Sequence, residues 1–147
     1  GAVLGDPENC VNMLRNEEAV IVFPEGIRGA GKPWSERYKL QRFGLGFMHL
    51  AMTENTPIIP VGIVGCEETM PTPFHLNGLA KMLGIPYVPV TTPVPLPAKV
   101  RLYFGKPMVF EGPVKSEDDT AVKVERVKDE IRALIQKGLS ERNGWFE

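Results

Sequence analysis

The sequence predicts an α/β fold, a layered mixed β-sheet flanked by helices, and three observations carry that prediction. Two continuous apolar, β-favouring runs, Ala19–Phe23 and Pro57–Val64, have the character of strands buried on both faces. A third run, Lys99–Phe104, alternates polar and apolar residues as a strand with one wetter face does. Between and after these runs, apolar residues recur at three- and four-residue spacings, the period of a helix with one buried side. The resulting order (strand, loop, helix, strand, loop, strand, helix) is that of a layered α/β domain.

Taken along the chain, Asp6-Pro7-Glu8-Asn9 predicts a helix start, with a capping oxygen, a proline at the first helical position and an acid in the first turn. That helix runs to about Asn16. The strand Ala19–Phe23 leads directly into the polar, glycine-rich loop Pro24–Pro33. From Tyr38 to Thr53, residues Leu40, Phe43, Phe47, Leu50 and Ala51 fall on one helical face, interrupted by Gly44 and Gly46. Within Pro57–Val64, Pro60 cannot donate to a ladder and marks a bulge or a sheet edge. Eleven of the fourteen prolines lie between Pro57 and Pro113, so that segment holds long rigid loops, with room for a short helix at Leu76–Leu83. Ser116-Glu-Asp-Asp caps a terminal amphipathic helix, residues 116–139, whose buried stripe is Val124, Val127, Ile131, Leu134 and Ile135.

The chain has 147 residues, 43% of them apolar, as a single soluble globular domain does. With 17 Lys+Arg against 18 Asp+Glu, it has no bulk field to draw nucleic acid, and none is expected as a partner. Cys10 and Cys66 have no CxxC spacing, and His49 and His75 are the only histidines to join them. This argues against a zinc site and for buried thiols in a reducing compartment. No apolar stretch approaches the length of a membrane-spanning helix. Gly1-Ala-Val-Leu-Gly has neither the basic start nor the length of a signal peptide, and the absence of an initiator Met reads as a truncation.

Charge is concentrated in one place. Between residues 28 and 42, Arg28, Lys32, Arg37, Lys39 and Arg42 face one acid, Glu36, for a local charge of +4. These cations follow the end of a predicted strand, where open α/β sheets bind their ligands. Gly26, Gly29 and Gly31 let the backbone turn tightly, and Arg28 can hold a phosphate with two parallel charge-assisted bonds. The alternative is a solvated loop whose cations serve solubility. Gly26-Ile-Arg-Gly-Ala-Gly31-Lys32 also approaches P-loop spacing, but Pro33 stands where the magnesium-binding Ser or Thr belongs, and no apolar strand ends in the required Asp.

A more specific pattern overlaps that loop. Phe23-Pro24-Glu25-Gly26-Ile27-Arg28-Gly29 resembles the Phe-Pro-Glu-Gly-Thr-Arg-Ser block of the glycerolipid acyltransferases, the family that includes the lysophosphatidate acyltransferases. Pro57-Ile-Ile-Pro-Val-Gly-Ile, about thirty residues on, resembles that family's next block in order and spacing. The context from Gly1 through Phe47-Met-His-Leu-Ala51 to Phe104-Gly-Lys-Pro107 is similar to the branch related to monoacylglycerol and diacylglycerol acyltransferases.

The resemblance implies a fatty acyl transfer from a thioester, acyl-CoA or acyl carrier protein, to a glycerol-type or other lipid alcohol. It implies no cofactor beyond that co-substrate and no metal. In this family a His-x-x-x-x-Asp motif works, the His as general base on the acceptor hydroxyl and the Asp as its orienting partner. Here His49 is followed five positions on by Glu54 and His75 by Ala80, and both lie after the Pro-Glu-Gly block, which the family's dyad precedes. No catalytic residue is therefore assigned. The dyad is expected upstream of Gly1, residues 1–147 being the C-terminal part of one acyltransferase domain, inactive alone. By carry-over, Glu25, Gly26 and Arg28 bind the acceptor, and Lys32 joins them on charge. Ile27 and Gly29 replace the usual Thr and Ser, which removes two hydroxyl donors and favours a less polar alcohol. The expected location is cytoplasmic and peripheral at a membrane surface, with the proline-rich stretch Met70–Pro97 supplying either an interfacial apolar patch or an ordinary cap on the sheet. The alternative function is a non-catalytic lipid-binding module.

Overall fold

The computed structural model describes residues 6–75, 81–82, 84, 88–112 and 116–144. Helix α1 (Pro7–Arg15) begins as its sequence predicts, with the Asp6 carboxylate accepting from the Glu8 N–H at 3.3 Å. One helical turn, α2 (Ile27–Ala30), and a 3-10 turn (Trp34–Glu36) lie within the cationic region. They are followed by α3 (Gly46–Thr53), β1 (Val61–Val64), α4 (Cys66–Thr69), β2 (Phe74–His75), β3 (Pro89–Val90), β4 (Arg101–Phe104) and α5 (Glu117–Ser140). The predicted helix at Leu76–Leu83 falls largely outside the described residues.

In place of one mixed sheet, the described residues form two small antiparallel ones, compatible with the α/β class. Among the described residues β1 pairs with β4 and β2 with β3, both antiparallel. In the first pair Val61 faces Phe104 and Val64 faces Arg101. The expected strand Pro57–Val64 is cut short at its proline: Ile58 forms an isolated bridge to Met108, and regular pairing starts only after Pro60.

Two further predictions require correction. Ala19–Phe23 is not a strand; no described strand pairs with it, and Ile21 and Phe23 are 83% and 73% exposed. A β-favouring run becomes a strand only where a neighbour supplies the ladder. The predicted helix from Tyr38 shrinks to α3 because its first half donates elsewhere: the Gln41 N–H goes to Glu25 Oε1 at 2.8 Å and the Gly44 N–H to the Pro24 carbonyl at 2.9 Å. Those two donors fasten residues 41–44 to the Pro-Glu-Gly turn instead of to a helical turn of their own.

The terminal helix fulfils its pattern. Ser116 caps it by accepting from the Asp119 N–H at 3.1 Å; Val124, Val127 and Ile135 are buried, and Ile131 and Leu134 half-buried. The core joins this stripe to Phe43, Met48, Met52 and Phe110, with Phe47 edge-on to Phe43 at 6.4 Å between ring centres. α5 also packs on β1 and β4. Gly138 allows the close approach: a Cβ there would lie 2.5 Å from the Tyr103 ring and 2.7 Å from Val64. This contact turns β4 over relative to its polarity. Arg101 and Tyr103 are half-buried, whereas Leu102 and Phe104 are exposed, Phe104 at 69%. The apolar side of that strand, expected to face the core, is its open side.

Candidate functional site

The Pro24-Glu25-Gly26 turn is built from backbone upward. Gly26 has φ of 59°, a conformation costly for a side chain, and its N–H donates to the Phe23 carbonyl at 3.0 Å. This reversal launches the single turn α2 and places Glu25 against Gly29. A Cβ on Gly29 would sit 2.2 Å from Glu25 Oε2 and 2.7 Å from its Cβ, so the missing side chain leaves room for the carboxylate. Glu25 in turn holds the Gln41 N–H. The residue therefore ties the turn to the segment before α3, a structural role alongside any contact with a ligand.

Beside this turn lies an open cavity of about 430 Å³, walled by Phe23, Glu25, Gly26, Arg28, Arg42 and Leu45 among others. Three of the four residues expected at a substrate site, Glu25, Gly26 and Arg28, come together on its wall. The fourth, Lys32, does not line it. Its side chain is 9% exposed, and its ammonium donates to Glu67 at 2.9 Å and to the Lys39 carbonyl at 3.0 Å. Of the +4 in the sequence, one charge is thus met by a carboxylate from outside the region, Glu67. Lys39 pairs with Glu36 at 3.1 Å, and the Arg37 guanidinium lies 4.7 Å over the Trp34 ring. Arg28 and Arg42, both exposed, form no ion pair among the described residues. Sequence reasoning counted Arg42 in the cluster without selecting it, because no local pattern says which cations tertiary carboxylates will neutralise.

A second unpredicted cluster braces the far end of the loop. Tyr38, with φ of 60°, donates its N–H to Glu67 Oε2 at 2.9 Å and its hydroxyl to Glu68, and accepts from the Gly65 N–H at 2.8 Å. Glu68 is 2% exposed and also takes Arg142 Nη1 at 2.7 Å. Burial, then the bond to Glu68, pushes the Tyr38 hydroxyl up to about 12. The same carboxylate raises Arg142 above its ordinary value. A backbone angle unusual for a bulky residue is compensated by three hydrogen bonds that join the loop to α4 and the end of β1, and Arg142, after α5, closes the cluster on Glu68.

His49 lies on α3 with Nε2 buried and without a hydrogen-bond partner among the described residues. The carboxylate of Glu54, five positions on, is taken by Arg15 at 2.9 and 3.0 Å. His75 is in β2. No group of His, Cys, Asp or Glu among the described residues could hold a metal, and Cys66 is exposed rather than buried. No described helix is long and apolar enough to cross a membrane.

With this geometry in place, residues 6–64, which contain the turn, both arginines and β1, match the model of the family described as Acyltransferase. Over those residues the chain belongs to the acyltransferase family. It is 36% identical over 137 residues to a protein of Mycobacterium tuberculosis (strain ATCC 25618 / H37Rv) described as uncharacterized, covering 86% of this chain and 38% of that protein. An uncharacterized protein of Mycobacterium leprae (strain TN) is 37% identical over 137 residues, with 86% and 37% covered. The human "DGAT1/2-independent enzyme synthesizing storage lipids" is 26% identical over 149 aligned positions, with 92% and 41% covered. The chain spans about two fifths of the length of the curated relatives it matches. No solved structure matches it.

Proposed function

We propose that this acyltransferase chain forms the acceptor-binding part of an enzyme that moves a fatty acyl group from a thioester donor, acyl-CoA or acyl carrier protein, to a glycerol-type lipid alcohol. The observation that carries the reading is the cavity at Glu25–Arg28, where the family's block meets two guanidinium groups that no carboxylate neutralises among the described residues. In the reaction the acceptor oxygen attacks the thioester carbonyl carbon. A C–O bond forms, the C–S bond breaks, and the hydroxyl proton passes through a base to the leaving thiol. This chain's part is to hold the acceptor: Arg28 and Arg42 bind an anionic group on it, while Glu25 and Gly26 keep the turn open.

The base is expected upstream of Gly1, and the chain alone is expected to transfer no acyl group. Acyl transfer by the isolated chain would overturn that assignment. The site is expected to work at a membrane surface on the cytoplasmic side, and the exposed Ile21, Phe23 and Ile27 around the turn support contact with lipid.

Titration with glycerol 3-phosphate and with a monoacylglycerol tests the acceptor assignment. Arg28→Ala is expected to weaken glycerol 3-phosphate binding roughly tenfold or more, the loss of one charge-assisted contact, and to leave the neutral glyceride little changed. In the complete enzyme the same split is expected in KM. Equal losses for both ligands would mean that Arg28 only supports the loop.

A second reading, a lipid-binding module without turnover, is favoured by the lack of a His-x-x-x-x-Asp pattern in residues 1–147. An acyltransferase assay on the complete protein separates the two. The nucleotide reading loses its lysine, since Lys32 is committed to Glu67.

A further inference from the structure

The open side of β4 extends across the ribbon it forms with β1. Gly62, Val64 and Tyr103 turn toward α5, since a Cβ on Gly62 would lie 2.7 Å from Leu134 and one on Gly138 would meet Tyr103 and Val64. Pro60 and Gly105 continue that covered side: a Cβ on Gly105 would lie 2.7 Å from Pro60 and 3.3 Å from Leu134. The alternation of a strand sends their neighbours the opposite way. Ile59, Val100, Leu102 and Phe104 are accordingly exposed, and so is Val109, between the core residues Met108 and Phe110, all of them at 43% to 69%. A shared apolar face left open to water marks an interaction site. Charge around it has one sign. All 18 acids of the chain lie outside residues 69–110, a stretch that carries Lys81, Lys99, Arg101 and Lys106. Lys99 and Lys106 stand exposed at the two ends of β4 and form no ion pair among the described residues.

We infer that this face of the β1–β4 ribbon docks the protein on an anionic lipid surface, with Leu102 and Phe104 reaching the acyl boundary and Lys99 and Lys106 meeting headgroup phosphates. The inference rests on the reading that the acceptor site works at a membrane, and gives that reading a contact face. Two chemistries select the occupant. Apolar side chains alone would fit many partners, but cations at both ends of the strand call for an anionic surface over an apolar interior, which a leaflet of acidic lipids presents. A second copy of the chain fits poorly. In a two-fold contact the patch meets itself, so Lys99 and Lys106 would face their own copies with no acid of residues 69–110 between them. Backbone chemistry sets the depth. Among the described residues β1 and β4 pair only with each other, and their outer N–H and C=O groups must keep water, so the ribbon lies flat in the headgroup layer while its side chains insert.

Co-sedimentation of the full 147-residue chain with vesicles tests the docking face. Vesicles of equal parts phosphatidylglycerol and phosphatidylcholine are expected to bind it roughly tenfold or more tightly than pure phosphatidylcholine, a preference that shrinks severalfold between about 50 and 300 mM salt. Leu102→Thr with Phe104→Thr keeps the residue preference of a strand and should weaken binding to the mixed vesicles roughly tenfold or more. Thermal unfolding should change little in that variant, because both side chains are exposed. Lys99→Gln with Lys106→Gln leaves the apolar face intact and should remove most of the preference for the anionic vesicles. Equal binding to the two vesicle types, or indifference to the Lys pair, would overturn the anionic surface. Indifference to the Leu102 and Phe104 pair would overturn the face itself, as would a chain that binds neither vesicle and sediments as a dimer. Inorganic phosphate affinity at Arg28 and Arg42, measured without vesicles, keeps the two readings apart: phosphate taken by a chain that binds no vesicle refutes the face alone, and vesicle binding through β4 without phosphate affinity upholds the face and refutes the anion site.

Discussion

Replacing Tyr38 by Phe removes one oxygen atom from the point where three segments meet. The ring and the backbone N–H bond to Glu67 remain, so the change isolates the hydroxyl. Three bonds are lost: the Gly65 N–H, on a buried residue, loses its acceptor at 2.8 Å, Glu68 loses a donor, and Arg142 Nη1 loses a weaker contact at 3.4 Å. Leaving a buried donor unpaired costs about 1–3 kcal/mol, and weakening the shell of a buried carboxylate adds to it, so the variant is expected to lose about 2–4 kcal/mol near neutral pH. The pH dependence sharpens this. The hydroxyl is pushed from 10.0 up to about 12, chiefly by burial and then by Glu68. A raised folded value means that the folded state holds the proton more tightly than the unfolded chain. Its contribution is therefore fully present below pH 10 and is lost as pH rises through 12. Two units correspond to about 2.7 kcal/mol at face value, and because the side chain is only partly shielded we take about half, about 1.4 kcal/mol. Urea denaturation of both proteins at pH 8, 10 and 11.5 measures the difference, in which the titration of the lysines cancels. The gap should be largest at pH 8 and narrow by about 1 kcal/mol at the highest pH. A variant within about 0.5 kcal/mol of the parent at pH 8, or a gap that does not narrow, would refute the bracing role of the hydroxyl.

The other expectations can be checked with the same preparations. Gly29→Ser restores the residue usual in the family's block, yet here its Cβ would meet the Glu25 carboxylate and Cβ. It should detach Glu25 from the Gln41 N–H and cost about 1–3 kcal/mol, and an unchanged melting temperature would show that the turn relaxes freely. Gly138→Val should overpack the seam between α5 and β4 by about 1–3 kcal/mol, visible as a melting point lower by several degrees. Because the fold leaves Arg28 and Arg42 exposed, phosphate affinity at their cavity should drop severalfold between 50 and 300 mM salt, and a salt-independent affinity would place the anion elsewhere.

Local chemistry was enough for the parts of this fold that depend on local chemistry. Asp6-Pro7 and Ser116 start helices because a side-chain oxygen reaches an N–H two or three residues on, and the α5 stripe follows from the helical period alone. The Phe23–Gly29 block likewise identified the family and three of the residues that meet at the cavity. The remaining features depend on what comes from a distance. Ala19–Phe23 has the composition of a strand, but a ladder needs a partner, and none of the described strands supplies one. Lys32 and Arg42 are indistinguishable cations in the sequence; Glu67, 35 residues from Lys32, neutralises one and leaves the other open to a ligand. Glu68 and Arg142 pair across 74 residues with nothing in either neighbourhood to announce it. Sequence by itself therefore determined which segments can turn, cap and bury a face, since those preferences act within a few bonds. Only the tertiary structure decided which polar groups are consumed in holding the fold and which remain free to bind, since that depends on where distant carboxylates and backbone donors come to rest.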